Sequence, residues 1–436
     1  MRCPVRRVGG RYGARIGTDG GSVDPDRIPG RPDGGRRPGR ERPVGARHRR
    51  RARPSAIAAT ALVTLAAVLT ACGSSGSSSS TTGSPPTTVR SPDQLAYVTS
   101  VQGDPTAPGV GVLTTVDTAQ GTVVHRTFIP DGPTDVVATP DGSLLLISQY
   151  LGDAVVPVEV STGVALPGIT TGETPSALTV TPDGRTAVVA NYGSGTVSVI
   201  DVHTLQVTST ITVGGAPRSA AVTADGRLAA VGDFGDRQGG PPGSTVRIVD
   251  LDTRSVVRTV DIGGQPCDMV LSGDGRTVYV TGYSGAGDTG STDTGSTDPG
   301  STDTGARPAD YGAHGFVVPI DIDTGALGTR TVIDGEPSGI ALAHRGADAF
   351  VTVDGTTRTS PGFLVEVDLA THRVVRTAQT GTDPWKVAVT PDDATAWIAD
   401  ATSDDVVPVD LATFRVGTPV ALPTHPHGVV LLPAGN

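Results

Sequence analysis

The sequence predicts an all-β protein, a seven-bladed β-propeller with four-stranded antiparallel blades. Three observations support this. A segment of about 42 residues recurs, and each full copy holds four short apolar, β-branched runs separated by Gly, Pro and Asp turns. Each copy begins with a proline, which we call the opening proline, and an acidic residue lies 16 positions before it. The two ends of the chain complement each other. One four-stranded sheet cannot bury both of its faces, so the copies must pack around a ring.

The unit that begins at Pro175 shows the pattern of one blade. Its strand segments are SALTV, RTAVVANY, TVSVIDV and QVTSTITV, and its turns are rich in Gly and Asp. The opening prolines are Pro133, Pro175, Pro217, Pro266, Pro337, Pro384 and Pro426. The matching acidic residues are Asp117, Glu159, Asp201, Asp250, Asp321, Asp368 and Asp410. We interpret these acids as side-chain caps of turns rather than as a carboxylate ring.

The last copy ends after one strand, and the first copy lacks that strand. Pro426 is followed by HGVVLLP, whereas the first unit begins at the turn Pro92-Asp93 and runs straight into LAYVTS. We therefore predict that the carboxyl-terminal strand joins the amino-terminal blade and closes the ring without an open edge.

At these residues the chain resembles the YVTN-repeat family of seven-bladed β-propellers, over about residues 93–436. The motif stands here as Tyr97-Val98-Thr99-Ser100, Tyr279-Val280-Thr281-Gly282 and Val188-Val189-Ala190-Asn191. The last of these has Pro-Asp-Gly before it and Val-Ile-Asp after it, which also matches the family pattern. Blades 4 and 6 depart from the pattern at Ala224 and His344, where a turn proline is expected. The resemblance implies the fold but only a broad range of functions, because family members serve as surface proteins, periplasmic binding proteins and parts of enzymes.

The chain before the propeller divides into three segments. Residues 1–54 hold 16 Arg and 5 acidic residues without hydrophobic periodicity, which predicts a disordered extension. Nucleic-acid binding is one interpretation of this basic run, but an Arg-rich lead into a signal peptide fits better. Residues 55–72 contain a 16-residue apolar run and end in Leu69-Thr70-Ala71-Cys72, which resembles a lipobox. An ordinary secretory signal with a coincidental Cys is the alternative. Lipidation of Cys72 is the prediction.

Residues 73–92 are Gly, Ser, Thr and Pro almost throughout, which predicts a flexible tether. Beyond residue 71 the chain carries 18 basic and 39 acidic residues. Such an acidic domain is a poor partner for nucleic acid or anionic lipid, so neither is expected as a partner. Because Cys72 is predicted to carry a lipid, we expect the protein to be anchored to the outer side of the bacterial cytoplasmic membrane. We also expect it to be a monomer.

Differences in loop length between the blades predict which rim of the ring forms the binding surface. Strand direction alternates, so the opening prolines share one rim with the loops between the second and third strands. We call it the proline rim, and the opposite one the turn rim. Every insertion falls on the proline rim, the longest being an Asp-rich segment at about 284–313 that we expect to be disordered. A calcium-binding repeat is the less favoured interpretation of this segment.

Residues beside the opening prolines differ between blades, as positions of a scaffold would not need to. The set comprises Asp135, Arg218, Cys267, Asp268, Glu336, Asp383, Trp385, Lys386, His425 and His427. The sequence predicts ligand binding at the channel mouth by seven of them, which are Asp135, Arg218, Asp268, Trp385, Lys386, His425 and His427. Trp385 beside the chain's only lysine is the most distinctive pair, although Trp385 could instead pack between blades.

No metal site or cofactor is predicted, and His425 and His427 form only a weak His-x-His candidate. The sequence also holds no G-x-S-x-G, H-E-x-x-H or nucleotide loop, and no catalytic residue is assigned. Two functions remain. The favoured one is a lipid-anchored scaffold that binds a protein, glycan or small molecule. The alternative is an enzyme of the lactonase or quinoprotein-dehydrogenase type.

Overall fold

The computed structural model describes residues 94–101, 110–235, 242–284, 314–355 and 360–433. The extension, signal peptide, lipobox and tether predicted for the first 92 residues lie outside the described residues. So does the predicted insertion, apart from Ser284. Within the described residues there is no helix long and apolar enough to cross a membrane.

The described residues form seven antiparallel sheets arranged as the blades of a propeller. Blade 1 takes three strands from the amino-terminal side, β1 (Gln94–Ser100), β2 (Val110–Asp117) and β3 (Thr122–Pro130). Blade 2 holds β4 (Pro133–Ala138), β5 (Leu144–Gln149), β6 (Ala154–Glu159) and β7 (Ile169–Thr170). Blade 3 holds β8 (Pro175–Val180), β9 (Thr186–Asn191), β10 (Thr196–Asp201) and β11 (Gln206–Thr212). Blade 4 holds β12 (Pro217–Val222), β13 (Leu228–Gly235), β14 (Pro242–Asp250) and β15 (Ser255–Asp261).

The remaining blades follow the same order, with the innermost strand first. Blade 5 holds β16 (Gln265–Leu271), β17 (Thr277–Ser284), β18 (His314–Asp321) and β19 (Thr331–Asp334). Blade 6 holds β20 (Glu336–Leu342), β21 (Asp348–Asp354), β22 (Pro361–Asp368) and β23 (Arg373–Thr382). Blade 7 holds β24 (Pro384–Val389), β25 (Thr395–Asp400), β26 (Asp405–Asp410), β27 (Arg415–Val416) and β28 (Val420–Ala421). The last strand is β29 (Pro426–Pro433).

Ring closure is confirmed. Strand β29 pairs with β1 in antiparallel register, with Gln94 opposite Pro433 and Val98 opposite Val429. Blade 1 therefore has the order β29-β1-β2-β3, and its innermost strand comes from the other end of the chain. This closure joins the first and last blades within one sheet, so the ring has no open junction.

The opening prolines and the acidic turn residues occupy equivalent strand positions in every blade. Each opening proline is the first or second residue of an innermost strand, and each acidic residue ends a third strand. The Asp201 carboxylate accepts a hydrogen bond from the Thr204 backbone N–H at 2.7 Å, and Asp410 accepts one from Thr413 at 2.7 Å. The interpretation of these acids as turn caps is confirmed.

Three blades differ from the predicted pattern in their outermost strand. Blades 2, 5 and 7 carry Pro157, Pro319 and Pro408 in the third strand, and there the outer strand is short or split. Proline has no N–H to donate to a neighbouring strand. The outer segment of each of these blades still donates one N–H to the proline carbonyl, as Gly417 does to Pro408 at 2.7 Å.

The core lies between neighbouring blades rather than within one. One cluster joins Tyr97 of blade 1 and Leu432 of β29 to Leu145 of blade 2, and another joins Leu146 of blade 2 to Ile200 of blade 3. Each sheet buries its two faces against the sheets beside it, as the repeat pattern predicted.

Candidate functional site

A β-bulge follows the opening proline in every blade, and it shapes the channel mouth. The pairing between the innermost and second strands shifts register there in all seven sheets. The bulge releases a backbone N–H from the ladder, and in several blades a hydroxyl of the second strand accepts it. Ser148 accepts the Asp135 N–H at 3.0 Å, and Thr352 accepts the Gly339 N–H at 2.7 Å. Bulges often redirect side chains beside functional sites.

The two residues after each opening proline form two rings of side chains around the channel. The first ring holds Thr134, Ser176, Arg218, Cys267, Ser338, Trp385 and His427. The second ring holds Asp135, Ala177, Ser219, Asp268, Gly339, Lys386 and Gly428. Each ring has three large or charged side chains among small ones. The small residues are needed for packing at some positions, because a β-carbon on Gly339 would collide with the carbonyl oxygen of Trp385.

The large residues of the first ring meet across the channel with Phe234. The Trp385 indole and the His427 imidazole stack with their centroids 4.2 Å apart and an angle of 8° between their planes. The Arg218 guanidinium lies 4.4 Å from the centroid of Phe234 and 5.3 Å from that of Trp385. Because these residues belong to blades 4, 7 and 1, their contacts span the mouth. We call Arg218, Phe234, Trp385 and His427 the mouth cluster.

The Trp385 ring is held from its own blade. Its indole N–H donates to Asp383 Oδ1 at 3.2 Å, and the Thr402 hydroxyl donates to the other oxygen of Asp383 at 3.1 Å. Asp383 has a positive φ of 63°, a left-handed conformation that Asp tolerates better than most residues. Trp385 remains half-buried at the mouth, whereas Trp397 is 2% exposed within the core.

The charged residues of the second ring form a layer directly beside the mouth cluster. Lys386 Nζ donates to Asp268 Oδ1 at 2.8 Å and lies 4.0 Å from Asp135 Oδ1. Asp135 Oδ2 accepts the Leu178 N–H of blade 3 at 3.0 Å, and Asp268 Oδ2 accepts the Ile340 N–H of blade 6 at 3.2 Å. We call Asp135, Asp268 and Lys386 the charge layer. Its contacts connect five of the seven blades.

Burial and charge set the protonation of these groups. Burial opposes the charged form of Lys386, but the carboxylates of Asp135 and Asp268 outweigh this and raise its pKa. Burial raises the pKa of Asp135, while Lys386 and the Leu178 N–H oppose the rise. Burial, with smaller effects from His425 and Arg218, lowers the pKa of His427 to about 3. Lys386 is therefore charged and His427 neutral at pH 7.

A cavity of about 330 Å³ lies in the channel next to the charge layer. Asp135, Asp268 and Lys386 line one end. Its walls are mostly apolar and come from the innermost strands of several blades, with Val137, Leu178, Val180, Ala221, Val222, Met269, Leu271 and Val430 among them. This size and this lining fall in the range of small-molecule sites.

The structure brings six of the seven sequence-predicted site residues together, and His425 stands apart from both groups. The His425 imidazole instead hydrogen-bonds the Ala401 carbonyl through Nδ1 at 2.9 Å. No group of three or more His, Cys, Asp or Glu residues with metal-site geometry occurs in the described part of the chain. Sequence reasoning missed Phe234, which sits at the end of a second strand. Only its contact with Arg218 shows that the Phe234 ring belongs to the site, and no sequence pattern indicates that contact.

Fold and site together define a seven-bladed β-propeller with a polar and aromatic channel mouth. Comparison with known families agrees, since residues 105–275 match the family model described as a YNCE-like beta-propeller. None of the curated proteins gives a significant match to the sequence.

Solved structures share the fold at low sequence identity. Hydrazine synthase of Kuenenia stuttgartiensis aligns with a TM-score of 0.56 at 19% identity, over 70% of this chain and 96% of that chain. A proposed 6-phosphogluconolactonase from Bacteroides uniformis aligns with a TM-score of 0.58 at 15% identity, over 78% and 100%. A dihydro-heme d1 dehydrogenase aligns with a TM-score of 0.51 at 14% identity, over 80% and 78%. At these identities the likeness concerns the fold alone.

Proposed function

We propose that the protein is a lipid-anchored, extracytoplasmic binding propeller of the YVTN-repeat type that holds a ligand at its proline rim. The mouth cluster carries this proposal. Four large side chains from three blades converge on one point of that rim, while most other residues of the first ring are small. Aromatic and Arg side chains are the groups that most often supply binding energy at recognition sites.

An unpaired polar atom in the cluster supports a binding role. His427 Nδ1 is buried and makes no hydrogen bond, although the imidazole stacks tightly on Trp385. A buried polar atom without a partner costs free energy, and such costs are concentrated at functional sites. A neutral imidazole can accept or donate one hydrogen bond at this atom.

Anchoring follows from the residues before the propeller. Acylation of Cys72 would attach the chain to the membrane, since each buried methylene adds about 0.8 kcal/mol of membrane affinity. A flexible tether of 20 residues, 73–92, has a reach of roughly 25 Å. The propeller would thus sit close to the membrane and remain free to turn its proline rim toward a partner.

The two tryptophans allow a direct test of the binding site. Purified protein is titrated with libraries of sugars, small metabolites and cell-envelope extracts while tryptophan fluorescence is recorded. Trp385 lies at the mouth and Trp397 in the core, so we expect a ligand-dependent change that Trp385→Phe abolishes and Trp397→Phe retains. A ligand whose signal and affinity survive Trp385→Phe and Arg218→Gln would refute binding at the mouth cluster.

The enzyme alternative rests on a different observation, the raised pKa of Asp135 beside a cavity of about 330 Å³. A carboxyl group whose pKa is raised by burial beside a cavity is a common feature of general acid–base sites. Lys386 is not suited to act as a base or to form a Schiff base, because its raised pKa keeps it protonated. The described residues offer no set of three metal ligands. Lactone hydrolysis that is lost in Asp135→Asn, with the fold retained, would favour this alternative.

A further inference from the structure

The central cavity lies on the inner side of the mouth cluster. The mouth cluster occupies the first ring and spans the channel from blade 4 to blades 7 and 1. The cavity is lined by the second ring and by residues further along the innermost strands, toward the turn rim. Val137, Thr179, Val270 and Val430 occupy the same position in four of these strands, and all four are partly exposed. Solvent therefore reaches this part of the channel, and the turn rim is the side from which a ligand can enter.

The charge layer places two carboxyl groups but only one ammonium group at one end of this cavity. Two carboxylates share one ammonium group, and the distances show that they share it unequally. Lys386 Nζ is 2.8 Å from Asp268 but 4.0 Å from Asp135. Arg218, the next cation, lies in the mouth cluster against Phe234 and Trp385. Asp135 thus keeps a less compensated charge, although both of its oxygens accept backbone N–H groups. An opposite charge placed beside it in a poorly hydrated site is favoured.

We propose that the channel is a second binding site, entered from the turn rim, for a small organic ammonium ion with an apolar body. The ammonium group would pair with Asp135, and the apolar body would lie against the Val, Leu and Met side chains of the walls. A cavity of about 330 Å³ has the volume of roughly eleven water molecules, enough for a ligand of about ten non-hydrogen atoms. The acidic balance of the propeller would also attract cations.

Three probes of similar size test the charge preference. The purified protein is titrated by calorimetry with 2-phenylethylamine, 2-phenylethanol and phenylacetate, which present a cationic, a neutral and an anionic end. We expect the amine to bind about tenfold more tightly than the alcohol and the carboxylate not to bind, since one ion pair in a partly buried site is worth about a factor of ten. Equal affinities for amine and alcohol, or no binding of the amine at concentrations up to about 10 mM, would overturn the proposal.

Two kinds of variant locate the site. Asp135→Asn should abolish the preference for the amine over the alcohol. Because this change can also disturb the fold, the cavity wall supplies an independent test. Thr179→Leu adds bulk to the channel and should weaken amine binding about tenfold. Thr210→Leu, the same change at an exposed position of β11 in the same blade, lies outside the cavity and should leave amine binding unchanged. Unchanged amine binding in folded Thr179→Leu would show that the amine binds elsewhere and would sink the inference. These outcomes are independent of the mouth cluster.

Discussion

At the scale of single residues, Lys386 connects three blades at the centre of the ring. Its ammonium group from blade 7 bonds Asp268 of blade 5 and approaches Asp135 of blade 2. Each carboxylate in turn accepts a backbone N–H from the next blade. Buried charges of this kind are costly to desolvate, and they become far more costly when one partner is removed.

We expect Lys386→Met to destabilise the propeller by about 3 kcal/mol, because it leaves two buried carboxylates without their cation. The measurement is urea unfolding at pH 7. In the double variant with Asp268→Asn, one unpaired charge is also removed, and the total loss should be smaller than the sum of the two single losses. Additive losses would show that the 2.8 Å contact contributes no coupling.

Two carboxyl groups that face each other in blade 7 have raised pKa values. Asp400 is fully buried at the end of β25, opposite Asp405 in the next strand. Burial raises the pKa of Asp400 to about 8, with Asp405 adding to the rise, and burial raises the pKa of Asp405 to about 6. Asp400 Oδ2 accepts the Gly381 N–H at 3.0 Å, whereas Asp405 Oδ1 is buried without a hydrogen-bond partner. The hairpin turn after Asp400 also forms hydrogen bonds with Asp383 and His425.

We expect Asp400→Asn to stabilise the protein at alkaline pH. The folded-state pKa lies above the unfolded value, so the contribution of Asp400 to stability is complete below about pH 4 and is lost as pH rises through 8. The neutral amide avoids this loss because it carries no charge to desolvate. The gain should be roughly 1–3 kcal/mol at pH 8.5 and should vanish near pH 4.

Thermal unfolding of both proteins from pH 4 to pH 9 checks this prediction. His427 contributes in the opposite sense, because its pKa of about 3 makes stability fall as pH drops below about 6.5. That contribution is common to both proteins and cancels in their difference. Asp252→Asn, at an exposed turn position of blade 4, serves as the control and should show no gain. A gain that does not depend on pH would contradict the assignment to ionisation.

At the scale of strands, the sequence predicted most of the fold because a repeated pattern reports it seven times. The opening prolines and the acidic turn residues act on the backbone next to them, so their spacing in the sequence reveals where strands begin and end. The split outer strands of blades 2, 5 and 7 were not predicted, although Pro157, Pro319 and Pro408 carry the signal. Three residues of the mouth cluster were predicted as separate candidates, and Phe234 was not predicted. Arg218 and Trp385 are far apart in the chain, and their contact depends on side-chain rotamers that no spacing reveals.

The closing strand is the element on which the ring depends most. Strand β29 supplies the innermost strand of blade 1, and its Val429 and Leu432 pack into the two adjoining cores. Without it, β1 has an open edge facing the channel, and blade 7 loses a neighbour.

Deletion of residues 426–436 should therefore prevent formation of the folded ring. We expect an aggregated product or one without a cooperative thermal transition, measured by circular dichroism and size-exclusion chromatography. Deletion of residues 434–436 alone, which spares β29, is the matched control and should leave the melting temperature unchanged. A cooperative, monomeric product from the longer deletion would show that closure by β29 is dispensable.

At the scale of the whole molecule, charge and composition divide the chain in two. The first 54 residues hold 16 of the 34 basic residues, whereas the part beyond residue 71 holds 39 of the 44 acidic ones. A basic lead and an apolar run suit export, and an acidic propeller suits a soluble domain that does not adhere to anionic headgroups. The propeller needs no disulfide, since Cys267 is the single cysteine beyond Cys72 and lies buried beside the channel.

The predicted anchor can be tested on the intact chain. Expressed in a bacterial host, the wild-type protein should sediment with membranes and resist extraction by salt, because acyl chains hold it by the hydrophobic effect. Cys72→Ser removes the thiol that would receive the lipid and should release the protein from the membrane fraction or leave its signal peptide uncleaved. Cys267→Ser keeps that thiol and should remain with membranes. If Cys72→Ser sediments as the wild type does, with its signal peptide removed, the propeller is held at the membrane by other contacts and the lipid anchor is refuted.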